Sequence, residues 1–164
     1  MLTSTTLLTL LATAGTTLAA PTSNPNTLPV RAIHDAFVPA WSVGYTRSCP
    51  SDASCLITLH IEAREFASGE ERTHKQSCQI VVQATSGGPI ASQTAYTGRP
   101  CGIYTVGSSW SGQFGPGNGF TTLSVVETEK NLIVWPAWSD AEVPGEGVGA
   151  RKVYTPVYLG DLQK

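Results

Sequence analysis

The residues best suited to chemistry in this 164-residue chain fall into two groups. His60-Ile61-Glu62 lies in an alternating stretch, which turns the His60 and Glu62 side chains to one face of a strand, where both can ligate a metal. His74 would have to complete such a site. The same alternation makes the pair an ordinary solvent face. With no third ligand at a fixed spacing, that is the reading taken, and no metal or other cofactor is expected. His34 and Asp35 are sequence neighbours, so on a strand they point apart. The second group is Glu127, Glu129, Asp140 and Glu142. A glycosidase needs two facing carboxyls roughly 5 to 9.5 Å apart, and this cluster has the right residue types. Carboxylates in turns and at edges are ordinarily just solvated. Serine chemistry lacks a Gly-x-Ser-x-Gly elbow. Gly115-Pro-Gly-Asn-Gly119 has the glycine content of a phosphate loop, but no Lys-Ser/Thr follows it, and it reads as a turn. No catalytic residue is assigned.

Tryptophan offers a different chemistry, since a flat aromatic face can stack on a sugar ring. Three of the four tryptophans, Trp110, Trp135 and Trp138, fall between Gly107 and Asp140. The commoner fate of such residues is the core. Trp110 and Trp138 are taken as the candidate binding residues, with Trp138, beside Pro136 and Asp140, expected to be exposed. Trp135 is expected to be buried in a hairpin spanning Phe120–Trp135, together with Phe120, Leu123, Val125 and Ile133.

That hairpin is the element around which the chain reads as organised. Phe120–Val126 and Leu132–Trp135 are joined by the polar Glu127–Asn131, and Gly115–Gly119 reverses the chain from Trp110–Phe114. Upstream, Trp41, Val43 and Tyr45 alternate with polar residues. Cys55, Ile57, Leu59, Ile61 and Ala63 give the clearest period of two, and Cys78, Ile80 and Val82 give another. Arg64–Gln76 reads as a charged connection with room for one helical turn. Gln93–Thr97 reads as a short strand before a Gly98-Arg99-Pro100 turn. Val143–Ala150 reads as a loop, and Arg151–Leu159 as a closing strand that Pro156 restricts to an edge or a bulge. Short strands at this spacing predict one all-β domain, an antiparallel barrel or sandwich.

Residues 1–19 read as a secretory signal, with an apolar Leu7–Ala12 and small residues at Ala19-Ala20, although the segment before it lacks Lys and Arg. Residues 20–29 read as a flexible leader and 30–164 as the β domain. No later stretch reaches the roughly 20 apolar residues of a membrane helix, so no membrane span is expected. Ten basic against twelve acidic side chains, with no basic block, argue against nucleic acid as a partner. The four cysteines, Cys49, Cys55, Cys78 and Cys101, suggest two disulfides in a secreted domain. Of three connectivities, Cys49–Cys55 with Cys78–Cys101 is favoured, closing one short turn and one longer loop.

A signal ending in Ala19-Ala20-Pro21, an all-β mature chain of this size and four cysteines resemble small secreted proteins of filamentous fungi. More narrowly the chain resembles the Alternaria major-allergen-like β-barrel group, which includes proteins that trigger hypersensitive cell death in plants. Gly112–Leu123 together with Val134–Ala137 is also similar to a block found in fungal secreted proteins. The resemblance implies a secreted, extracellular, non-catalytic effector or elicitor acting in the apoplast on a host or cell-wall component. It assigns no functional residue, and oligomeric state stays open. Two alternatives are kept: a carbohydrate- or lipid-binding cell-wall module, and a small hydrolase working through Glu127–Glu142.

Overall fold

The computed structural model describes residues 39–67, 69–144 and 146–163. The expected signal 1–19, the leader 20–29 and residues 30–38, with His34-Asp35 among them, lie outside the described residues. Four strands form one antiparallel sheet: β1 (Ala40–Ser51), β2 (Ser54–Ala67), β3 (Glu70–Gln83) and β9 (Glu146–Tyr154), in the order β3-β2-β1-β9. The second sheet holds β4 (Tyr96–Cys101), β5 (Tyr104–Ser111), β6 (Phe120–Glu127), β7 (Leu132–Val134) and β10 (Val157–Tyr158), ordered β10-β7-β6-β5-β4. A short β8 (Ala137–Ser139) also pairs with β6. The sheets stay separate and face each other, so the fold is a sandwich and not a closed barrel.

Strict alternation builds the interior. Trp41, Val43 and Tyr45 from β1 and Cys55, Ile57, Leu59, Ile61 and Ala63 from β2 are buried. They meet Tyr104 and Val106 of β5 and Leu123 and Val125 of β6. At one end the Trp41 and Tyr104 rings pack edge to face at 5.2 Å. At the other end Tyr45 stacks on Trp138 at 5.0 Å. Such pairs add about 0.5–1.5 kcal/mol each beyond the area they bury.

Three local expectations are corrected. Residues 64–76 hold no helical turn among those described: β2 and β3 continue as one long hairpin from Ser54↔Gln83 to Ala67↔Glu70. The backbone ladder sustains the strands where their side chains are charged and exposed. Gly98-Arg99-Pro100 is not a turn but part of β4, with an irregularity between Tyr96 and Arg99 where Gly98 takes a φ of 66°. Finally, the chain from Val143 does not wait until Arg151 to become a strand. β9 starts at Glu146, and Pro156, which cannot donate to a ladder, separates β9 in one sheet from β10 in the other.

Cys49 is bonded to Cys55, with 4.1 Å between their Cα atoms, across the β1–β2 hairpin. Cys78 of β3 is bonded to Cys101 of β4, with Cα atoms 5.4 Å apart, which joins the two sheets. These are the partners that spacing favours. Loop-closure entropy makes the second bond the more stabilising one, on the order of 3 kcal/mol against about 2 for the first. The double variant Cys78→Ala/Cys101→Ala should therefore lose more stability in guanidinium melts than Cys49→Ala/Cys55→Ala. The reverse order would mean that the inter-sheet link is not what restrains the unfolded chain.

Candidate functional site

The carboxylates that cluster in sequence are parted by the fold. Glu127 ends β6 on its inward parity, opposite Tyr104, and is 3% exposed. Lys130, in the following turn, reaches back to Glu127 at 2.9 Å and across to Glu65 of β2 at 2.5 Å. Burial works against the Lys130 charge, but its hydrogen bonds to Glu65 and Glu127 prevail and hold its pKa above the usual lysine value. The neighbouring Tyr104 phenol is pushed well up, first by burial and then by the charges of Glu127 and Glu65. Glu129 is an exposed turn residue.

Asp140 lies beyond the opposite end of β6, because Ser139 pairs with Phe120. Seven residues of strand separate Phe120 from Glu127, about 23 Å at 3.3 Å per residue. That is far outside the spacing of a glycosidase pair. Asp140 accepts the Trp110 indole N–H at 3.1 and 3.3 Å and lies 3.9 Å from the buried Arg47 guanidinium. Glu142 is bonded to Lys152 at 2.7 Å and accepts the Ser139 backbone N–H at 2.8 Å. The lysine bond first, and the Ser139 bond after it, hold the Glu142 carboxyl below its ordinary range.

His60 and Glu62 occupy the outward face of β2, as their parity requires. His60 pairs with the Ser77 hydroxyl at 3.1 Å, and Glu62 faces Lys75 at 3.6 Å and Arg151 at 3.9 Å. His74 stands opposite Ala63, a residue of the inward parity, and its ring is 6.2 Å from that of Tyr104. The sheet thus lies between His74 and the other two. Among the described residues, no three His, Cys, Asp or Glu side chains converge as metal ligands.

The tryptophans bring the main correction. Trp138 was expected at the surface but is 1% exposed. β8 pairs it with Thr121 on the inward face, Tyr45 covers its ring, and its N–H donates to the Ala150 carbonyl at 2.8 Å. Gly149 lies so close that a Cβ there would be 2.7 Å from the indole. No face is left for a ligand. Trp135, expected in the core, is 41% exposed. The cause is parity. Leu123, Val125 and Val134 share the inner face, whereas Phe120, Ile133 and Trp135 have the opposite parity; Ile133 is buried all the same, at 6% exposure. Pro136 then breaks the strand and lets Trp138 turn inward.

Trp110 is half-buried and wedged by glycines. A Cβ at Gly112 would lie 2.4 Å from its ring, and one at Gly119 would lie 2.6 Å from it. These two positions of the glycine-rich loop are fixed by close approach. The exposed edge of Trp110 lines a depression with Gln93, Pro116, Gly117 and Asp140.

Two features escaped sequence reasoning. One is Arg47, which follows Trp41, Val43 and Tyr45 on the same parity and is 5% exposed. Parity alone would have found it. The other is a shallow depression of about 290 Å³ on the outer face of the second sheet, bordered by Trp135 and floored by Ser and Thr residues of β4, β5 and β6. Finding it required knowing that Trp135 points outward.

Truncating a buried aromatic costs about 3–5 kcal/mol, and surface changes usually stay within about 0.5 kcal/mol. Urea melts of Trp138→Ala should therefore show a severe loss, and those of Trp135→Ala a small one. Similar losses in both would reject the assignment of inner and outer tryptophans.

Comparison with known proteins places this geometry. A family model described as Effector TSP1 matches residues 43–161, a span reaching from β1 past β10. A protein of Hypocrea virens (strain Gv29-8 / FGSC 10586) named Effector TSP1 is 36% identical over 157 residues, covering 94% of this chain and 96% of that protein. These matches do not bear out the expected resemblance to the Alternaria allergen group. With model and relative agreeing across the whole sandwich, the chain belongs to the Effector TSP1 family.

Proposed function

We propose that this chain is a secreted fungal effector that works in the apoplast by surface recognition, without catalysis, and elicits cell death in plant tissue. The observation that carries the reading is the match to an effector family over residues 43–161. Two disulfides within a small β sandwich suit an oxidising, extracellular setting. The residue types that could catalyse are engaged elsewhere: Glu127 by Lys130, Asp140 by Trp110 and Arg47, Glu142 by Lys152, and His60 by Ser77. A hydrolase built on Glu127–Glu142 would need two facing carboxyls, and Glu127 and Asp140 stand at opposite ends of β6.

The test is infiltration of purified mature, oxidised protein into leaves, with local cell death scored against a reduced and alkylated control. Wild type and the exposed-site variants Glu142→Gln, Glu129→Gln and His60→Ala should all produce the response, and the reduced control should not. Folded wild type that leaves leaves unharmed would rule out the elicitor role. A variant that melts like wild type yet loses the response would point instead to a reacting side chain.

A further inference from the structure

The outer face of the second sheet carries an arrangement that the effector reading does not use. Pairing sets Gly107 beside Ser124 and Ser109 beside Thr122 on the face turned away from the core. Val134 pairs with Val125, which brings the next residue, Trp135, alongside Ser124 with its side chain outward. On the far side Thr97 of β4 flanks Gly107, its Cα lying 3.7 Å from where a Gly107 Cβ would be. A row thus crosses four strands from Thr97 through Gly107 and Ser124 to Trp135, about 14 Å at the spacing of neighbouring strands. Gly107 is buried and lets the Ser124 hydroxyl lie over the middle of the row, since a Cβ there would meet that hydroxyl at 2.7 Å.

The chemistry of this row selects its occupant. No residue lining the depression carries a charge. A phosphate, an acidic peptide or a uronate chain would find no cation there to offset its desolvation. Tyr96, Leu123 and Trp135 supply apolar lining, but Ser and Thr hydroxyls stand among them, and a lipid tail would leave those hydroxyls without partners. A neutral polyol satisfies both parts: its C–H face covers the indole, and its hydroxyls exchange hydrogen bonds with Ser and Thr. The volume, about 290 Å³, lies just below the range of enclosed small-ligand sites, which starts near 300 Å³. The depression is open and sits on a sheet face, which suits a flat ribbon laid along the row better than an enclosed single ring.

We infer that the Trp135 face binds a flat, neutral, β-1,4-linked pyranose chain of the kind found in cellulose, with Trp135 as the stacking residue and Ser109, Thr122 and Ser124 as hydrogen-bonding residues. The inference is independent of whether the protein kills plant cells. A sugar contact at Trp138 is replaced by this one, because Trp138 has no free face.

Titrating cellohexaose against the full mature protein, followed by tryptophan fluorescence and calorimetry, tests it. Wild type should bind. Trp135→Ala should weaken binding by at least about tenfold, equal to about 1.4 kcal/mol, while Trp135→Phe recovers part of the loss. Ser109→Arg, at an exposed rim position, should block the row and weaken binding similarly with an unchanged Tm, which keeps the test decisive if Trp135→Ala folds poorly. The inference fails if wild type does not bind cellohexaose. It also fails if both Trp135→Ala and Ser109→Arg bind as wild type does, or if polygalacturonate binds more tightly than cellohexaose.

Discussion

A guanidinium sealed between two sheets is the constraint from which much of this structure follows. Arg47 continues the inward parity of β1 and is buried. A buried ion without partners costs several kcal/mol. Here the guanidinium donates to the Val143 carbonyl and faces Asp140 at 3.9 Å, and Asp140 is fixed in turn by the Trp110 indole. The segment running from β8 to Val143 must therefore fold over the end of the sandwich. That placement seats Trp138 on Tyr45 and pulls the chain inward immediately after Pro136. Trp135, on the other side of Pro136, is left facing solvent.

The opposite end closes by a different device with the same logic. Glu127 is buried, and the Lys130 ammonium joins it to Glu65 of the other sheet. Between the two ends lie the aliphatic rows of β1, β2, β5 and β6, with the Cys78–Cys101 bond linking β3 to β4 at the side. Interior charge and interior tryptophan are thus committed to joining sheet to sheet. With those residue types engaged in closure, the outer faces are the surfaces left for recognition, which supports the proposal that the molecule acts by binding.

How much of this is legible in the sequence depends on whether a signal is local. The period of two in Cys55–Ala63 needs no partner to be read, and it is buried residue for residue. Cysteine spacing pointed to the bonded pairs for a similar reason: short loops restrict which partners can meet. The tryptophans are not legible in this way, because Trp135 is as hydrophobic as Leu123 and Val125 although alternation sets it on the opposite face. Pro136 marked the break, but not the new direction, which comes from the pairing of β8 with β6. The charged β2–β3 tip gave no strand signal, because its order comes from backbone pairing and not from burial. The exchange of sheets between β9 and β10 is a tertiary event that Pro156 permits without announcing.

Closure of this end requires Arg47 and Asp140 to act together, and a double-mutant cycle in denaturant measures that directly. Arg47→Met and Asp140→Asn are each made alone and then combined, with stability taken from urea unfolding. Contacting charged pairs give interaction energies of about 0.5–3 kcal/mol, and the clasp described here predicts a coupling at or above about 1 kcal/mol, with Arg47→Met the more damaging single change. A coupling indistinguishable from zero, with the two losses simply adding, would contradict it and leave the sandwich held by its apolar core and disulfides alone.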